Sequence, residues 1–384
     1  MKILMIFIDM LRPNLLHLID ESQPAREIEK VFEKWGGTLY TNCFTPSPDT
    51  PRSNACIWSS RYPLDNGCDN RLKYPKFFFR EANQDIWAVM KDAGYTFNVY
   101  MHPATKMIGE LPPCMENCGN FSDGKTLKDF LPTVEVNENS FTYFCLEDFH
   151  AAVTDYFAAP KCIPIGDKKI ADALRVIDKG LDVESFDLMV VLSDHGFRIY
   201  KEPMPDYAAQ MGRMRSQVLM MTRIKGQKEV TINEKFCSLL DVYPTICKQA
   251  NLQPRGPIEG VSLMEQETRL PLIIEDHRTF NAELGQTIEY WGILDREGMH
   301  CVDSWHNWIG PALSEEKKRE YEELLLRKAT DYEKNVKMGQ IRKFYEDCLV
   351  SMPYYFDGEP RKTHCPLEIK IKKMVKHALH NTKK

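Results

Sequence analysis

Three groups of acidic and imidazole side chains stand directly after apolar runs in this sequence. Asp9 follows ILMIFI, the trio Glu147, Asp148 and His150 follows FTYFCL, and the adjacent pair Asp194 and His195 follows LMVVLS. Carboxylates placed just past buried segments are costly unless they are paired, hydrogen-bonded or bound to a cation. A divalent metal held by Asp9, Asp194 and His195 together answers that cost. Two plainer readings stay open: an Asp at a strand end often caps the helix that follows, and SDHG also reads as a simple turn. A fourth stretch, SPDTPRSNACIWSSRYP at 47–63, gathers Pro, Ser and Asp ahead of the apolar ACIW. By itself it is also compatible with a connector between two core elements.

The elements that must position these groups are legible as an alternation. Residues 3–8 form a continuous apolar run, the pattern of a central strand buried on both faces. QDIWAVMKDAG at 84–94 has helical spacing and stops at Gly94, after which YTFNVYM reads as a strand. FTYFCLE at 141–147 is a further strand. DKKIADALRVIDKGL at 167–181 is an amphipathic helix, and FDLMVVLSDHG after it holds a strand at 186–192 and a polar turn. Strands alternating with helices predict an α/β chain with a mostly parallel sheet, whose reactive groups gather at the carboxyl ends of the strands.

From about residue 271 the pattern changes to short strand-like pieces, RLPLIIED and TIEYWGILDREGMHCV, and then to the charged helix SEEKKREYEELLLRK, whose charges suit a solvated face. We expect two units, a catalytic domain at 1–270 and a smaller α+β subdomain at 271–384. The tail LEIKIKKMVKHALHNTKK is basic and weakly amphipathic, a frayed surface helix or a weak peripheral membrane contact.

The chain has 384 residues and can bury a large core. A net charge of −5 offers no footprint for a nucleic acid polymer. No run of about 18 apolar residues predicts a transmembrane helix. The apolar start is cut short by Asp9, with no small-residue cleavage site after it. The twelve cysteines show no CxxC pattern; the nearest pair is Cys114 and Cys118. Reduced thiols in a cytoplasmic protein are the expectation. No pairing signal predicts an oligomeric state.

The interval from Thr50 to Tyr62 and Pro63 resembles the one between nucleophile and Tyr-Pro pair in sulfatases and nucleotide pyrophosphatases of the alkaline phosphatase superfamily. IFIDMLRPNLL is similar to that group's first metal-binding strand and turn, and VVLSDHG to its second. LEDFH resembles a sulfatase segment with a substrate-side histidine, KDAGYTFNVYMH one with a basic substrate contact, and FCSLLDVYPTICKQANLQPRGPIEGVSL the stretch that closes the main domain. The resemblance runs in order over roughly residues 1–265. It implies an alkaline-phosphatase-like, mostly parallel sheet sandwiched between helices. It also implies a metal held by Asp9, Thr50, Asp194 and His195. Thr50 is then a nucleophile at the start of a helix whose free N–H groups favour an anion. His150 and His102 become the proton-transfer candidates, and Arg213, Arg215 and Asp148 the substrate contacts.

The departures matter as much. Sulfatases carry CxPxR at this turn; here the position is Thr50, and neither Cys43 nor Cys56 begins such a motif, so no formylglycine is expected. Met10 replaces a second aspartate and His195 stands where many sulfatases have Asn. Fewer hard oxygens and one more imidazole shift the expected ion from Ca2+ or Mg2+ toward Mn2+ or Zn2+. The set is similar to single-metal phosphoethanolamine or lipoteichoic acid transferases and, apart from the nucleophile, to phosphonate monoester hydrolases. Two-metal relatives add an Asp-x-x-x-His pair and a late His. Asp148 lacks that His, and His277, His300 and His306 lack the usual context, so one metal is expected and a second is left open. The resemblance implies a hydrolase of a phosphodiester, phosphonate or related ester, small or glycan-linked, through a phospho-threonine intermediate. Its alternatives are a cytosolic transferase acting on a glycan or a nucleotide-activated donor, and a non-catalytic binding descendant.

Overall fold

The computed structural model describes residues 1–66, 84–101, 119–199, 211–265, 270–281, 286–303 and 308–335. His102, His306 and the basic tail lie outside the described residues. So does most of the loop sequence at 64–80, and parts of that at 103–140 and 198–215, where we expect specificity to reside.

The apolar run at the start forms β1 (Lys2–Ile8), and its alternate side chains divide the core. Ile3, Met5 and Phe7 face one cluster with Trp58, Trp87, Phe141 and Tyr143; Leu4, Ile6 and Ile8 face another with Phe32, Phe144, Phe149 and Leu174. A strand buried on both sides must be central, and it is. The remaining strands of its sheet are β2 (Gly37–Phe44), β3 (Thr96–Met101), β4 (Asn120–Phe121), β5 (Ser140–Leu146), β6 (Leu188–Leu192), β7 (Met220–Ile224) and β8 (Val230–Ser238), in the order β4-β3-β5-β1-β6-β7-β2-β8. β4, β3, β5, β1 and β6 run parallel; β7 is antiparallel to both its neighbours, and β2 pairs with β8 in parallel.

Helices cover both faces. On one side lie α1 (Glu27–Trp35) and, among those later in the chain, the 19-residue helix Cys162–Gly180, which buries Ile163, Ile170, Ala171, Leu174 and Ile177 at helical spacing. Gly166 lets that helix close on Phe149, since a Cβ there would meet the ring at 2.6 Å. On the other side lie α2 (Thr50–Ser59), the helix Ile86–Asp92 and the helix Val242–Gln249. The aromatic centre of this face packs edge to face, with Trp58 and Trp87 ring centroids 5.0 Å apart.

A second, antiparallel sheet holds β9 (Leu272–Asn281), β10 (Gln286–Leu294), β11 (Met299–Asp303) and β12 (Trp308–Ile309), followed by the charged helix Glu315–Asn335. Its Ile273 and Val302 pack against Cys56, Tyr62 and Leu240; its Leu272 and Ile274 pack with Phe44. Among the described residues the seven cysteines are free and buried, and no helix is long and apolar enough to cross a membrane.

Candidate active site

Strand register assembles the acidic groups. β1 pairs Ile8 with Leu146 of β5 and Phe7 with Leu192 of β6. One residue past Ile8 is Asp9, beside Glu147; two past Leu192 is Asp194, beside Asp9. Three carboxylates therefore stand abreast at the carboxyl ends of neighbouring parallel strands. Met10, two residues past β1, lies in the left-handed region, at φ 66°, and its N–H donates to Asp194 Oδ1 at 3.1 Å.

After β6 the chain is tied down on both sides. Ser193 Oγ donates to the Leu11 carbonyl at 2.8 Å and accepts the Leu219 N–H at 2.8 Å. Gly196 N–H donates to the Arg215 carbonyl, and no other residue fits at 196, because a Cβ would lie 2.1 Å from the Met214 carbonyl oxygen. His195 Nδ1 lies 2.7 Å from the Gly196 carbonyl, which assigns the proton to Nδ1 and leaves a lone pair on Nε2. Nε2 sits 3.3 Å from Thr50 Oγ1, 3.4 Å from Asp194 Oδ2 and 4.0 Å from Asp9 Oδ1. Thr50 Oγ1 is 3.5 Å from Asp9 Oδ2.

These groups fit a cation. Asp9 and Asp194 are 2% and 0% exposed, and Asp9 Oδ1 and Asp194 Oδ2 have no hydrogen-bond partner. Burial first, then the charges of Asp194 and Glu147, holds the Asp9 carboxyl well above the usual carboxylate range. Burial also pushes His195 down to about 4, against the pull of Asp194, so its imidazole is neutral near pH 7. Carboxylate oxygens without partners beside a neutral imidazole lone pair are a donor set that suits a divalent cation. Their spacing also suits one, since four ligands at about 2.1 Å lie about 3.4 Å from one another.

A second group shares Asp9. His150 Nδ1 is 3.6 Å from Asp9 Oδ2 and 3.5 Å from Glu147 Oε2, on the first turn of the helix Asp148–Asp155. Within the trio, Glu147, the first residue past β5, faces Asp9, whereas Asp148 begins the helix and its charge is felt by Tyr100. Arg215 donates to the Pro48 carbonyl in the loop before Thr50, and its charge opposes protonation of His195. Arg213 lies over the Phe44 ring, 5.6 Å from its centroid. Of the late histidines, His300 is engaged with Asp295 of the second sheet at 3.0 Å.

Thr50 is the first residue of α2, but its surroundings differ from the expected open helix end. Asp49 caps the helix by accepting the Arg52 N–H at 3.2 Å, Pro51 has no N–H, and the Ser53 N–H donates to the Asp49 carbonyl at 2.9 Å. The backbone donors of this turn are thus largely used internally. Arg52 is wholly buried, with its Nε 2.6 Å from Asp49 Oδ2 and its Nη2 2.8 Å from Asp276 Oδ1 of β9. Two further bonds tie the same loop to β9: the Glu275 N–H to the Pro46 carbonyl at 2.7 Å, and Ser47 Oγ to the Glu275 carbonyl at 2.9 Å. The second sheet therefore braces the turn that presents Thr50. Replacing Asp276 with Asn leaves part of a buried guanidinium charge uncompensated, and we expect a loss of about 3 kcal/mol, read as a lower midpoint in thermal or urea unfolding. An unchanged midpoint would remove the brace from the account.

No family model matches the sequence, and no curated protein matches it. Solved structures do. A 2-O GAG sulfatase aligns at TM-score 0.62 and 12% identity, over 88% of this chain and 94% of that one. The phosphonate monoester hydrolase of Agrobacterium radiobacter aligns at TM-score 0.61 and 13% identity, over 86% and 96%. The fold is that of the sulfatase-like alkaline phosphatase superfamily. A protein of the alkaline phosphatase superfamily from Vibrio parahaemolyticus aligns at TM-score 0.59 and 11% identity, over 87% of each chain. Identities this low speak for the fold alone, and the chemistry of this chain rests on its own side chains. Sequence reasoning left out two features of the site. The place of Glu147 was readable from its position one residue past an apolar run, as for Asp9. The Arg52 brace gave no sequence signal, because its partner Asp276 is over two hundred residues away.

Proposed function

We propose that the chain is a metal-dependent hydrolase of a phosphodiester, phosphonate or related phosphate ester that works through a covalent phospho-threonine. The observation that carries this reading is the Thr50 hydroxyl, 3.3 Å from His195 Nε2 and 3.5 Å from Asp9 Oδ2, beside buried carboxylate oxygens that have no partner. Asp9, Asp194, His195 and Thr50 would hold one Mn2+ or Zn2+. When bound, the ion makes the threonine hydroxyl more acidic and draws charge from the phosphoryl oxygens.

Thr50 Oγ1 attacks phosphorus and loses its proton along the contact to Asp9 Oδ2. As the Oγ–P bond forms, the ester P–O bond opposite breaks, and the departing oxygen takes a proton from His150. His150 suits that task because it stands between Asp9 and Glu147 and its side chain is 38% exposed, open to substrate and water. In the second step water gives a proton to His150 and attacks phosphorus. The Oγ–P bond breaks and Asp9 returns the proton to Thr50. An acceptor hydroxyl in place of water makes the same site a transferase. Residues 1–270 carry these groups, and the sheet beyond 271 braces them.

The test is a panel of aryl phosphodiester, phosphonate, phosphomonoester and sulfate esters with added Mn2+ or Zn2+, acid quench, and mass spectrometry of the peptide containing Thr50. We expect turnover on phosphorus esters and a phosphoryl adduct on Thr50. Stoichiometric metal without turnover of any ester would support a binding descendant, and turnover without the adduct would exclude the covalent route.

A further inference from the structure

Asn54 is wholly buried, and neither Nδ2 nor Oδ1 of its amide has a hydrogen-bond partner. An amide left unsatisfied in the interior is a standing cost to the fold, met by an ordered water, an ion, a ligand or a catalytic task. Its place indicates which. Asn54 is four residues after Thr50 in the ten-residue helix α2, on the same face and one turn further in. Helical side chains lean toward the N-terminus, so this amide is carried back over the turn that holds Thr50. Its polar neighbours on the helix are mostly committed elsewhere: Ser53 Oγ donates to the Asp194 carbonyl at 3.0 Å, and Arg52 serves Asp49 and Asp276 through Nε and Nη2.

The same turn offers few backbone donors for an anion. Asp49 and the helix itself use the Arg52 and Ser53 N–H groups, and Pro51 has none. Arg215 reaches back to the Pro48 carbonyl, and Arg213 lies over Phe44. A phosphoryl group on Thr50 brings two or three non-bridging oxygens to this turn, where, among the described residues, the Asn54 amide is a neutral side-chain donor without a partner and Arg52 Nη1 a charged one. We propose that Asn54 is a catalytic residue, in that its Nδ2–H donates to a non-bridging oxygen of the group transferred to Thr50 and of the phosphate released. The inference rests on the phospho-threonine reading above. It adds a substrate contact made by a neutral side chain rather than a guanidinium.

The test uses the full-length protein loaded with Mn2+ or Zn2+ and inorganic phosphate as the probe. Asn54→Leu keeps the shape and removes both polar atoms. We expect unchanged metal content by elemental analysis, a thermal midpoint equal to or above the parent's, phosphate affinity by calorimetry weakened roughly 10- to 100-fold, and kcat for an aryl phosphodiester lowered by a similar factor. Asn54→Asp, which keeps the shape but not the N–H donors, gives the same answer if leucine disturbs packing. Phosphate binding within twofold of the parent in both variants overturns the proposal, as does a parent protein that binds metal but no phosphate. A lower midpoint together with lost metal assigns Asn54 a structural role and overturns it too. The underlying reading fails separately, if Thr50→Ala retains turnover or the parent holds no metal.

Discussion

Thr50→Ala lowers turnover of an aryl phosphodiester by at least about 10³-fold, weakens metal binding through the loss of one of four ligands, and leaves the unfolding midpoint in chelator close to that of the parent. Loss of a nucleophile typically costs between about 10³ and 10⁶ in kcat, the remainder coming from binding and electrostatics. The stability expectation follows from position. Thr50 is half-buried at the first turn of α2, its capping residue is Asp49, and the helix is held by Ala55, Ile57 and Trp58 in the core and by the Arg52 brace. Alanine keeps the helix start and removes one methyl and the hydroxyl. Steady-state hydrolysis, calorimetry and elemental analysis on the same preparation read all three. A variant that keeps more than a tenth of parental turnover would take Thr50 out of the chemistry.

Asp9→Asn has an effect of similar size on activity and an opposite one on the metal-free fold. Asp9 belongs to both carboxylate and imidazole groups, so its charge is needed wherever a cation binds, and we expect activity and bound metal to be lost together. Without metal that charge is a liability, because it is buried, faces Asp194 and Glu147, and leaves Oδ1 without a partner. The sign can be worked out. The folded-state pKa is raised above the unfolded value, so the folded chain holds this proton more tightly. The stabilising contribution is full below the ordinary carboxylate range and is lost as pH rises through the raised value. Asparagine stays neutral throughout. In chelator near pH 7.5 the variant should therefore be more stable than the parent by about 2 kcal/mol, and near pH 3 the gap should close. With metal the order reverses, since a ligand at a hundredfold its Kd adds about 2.7 kcal/mol to the form that binds it. Scanning calorimetry at two pH values with and without metal checks this, and a less stable variant in chelator would count against the charge assignment.

Much of this was open to sequence reading. The run at 3–8, the strands near 96, 141 and 188, the acidic residue after β1 and the Asp194–His195 pair all announce themselves, because a doubly buried strand must be continuously apolar and an acid directly after it is conspicuous. Thr50 became readable through the interval to Tyr62 and Pro63. What stayed hidden depends on distant partners. Asn54 and Arg52 look like ordinary polar residues on a surface helix until α2 is seen wedged between the main sheet and β9. The choice between Glu147 and Asp148 turned on strand register, which fixes one residue abreast of Asp9 and sends the next into a helix. The antiparallel entry of β7 between β6 and β2 had no local signature, since strand direction is decided by the path of the connections. His102 lies outside the described residues, and its part in proton transfer is a matter for mutation.

The place of β1 in the sheet has a consequence for how the chain is made. Its two hydrogen-bonding neighbours are β5 and β6, so β1 has no neighbouring strand to pair with until residues 140–192 have been synthesised. For that interval KILMIFI is an unpaired, sticky segment, with the long-range pairing that makes folding slow and clumping easy. Heterologous yield should therefore respond to a slower, cooler translation regime and to nascent-chain holdases more than to surface solubility mutations.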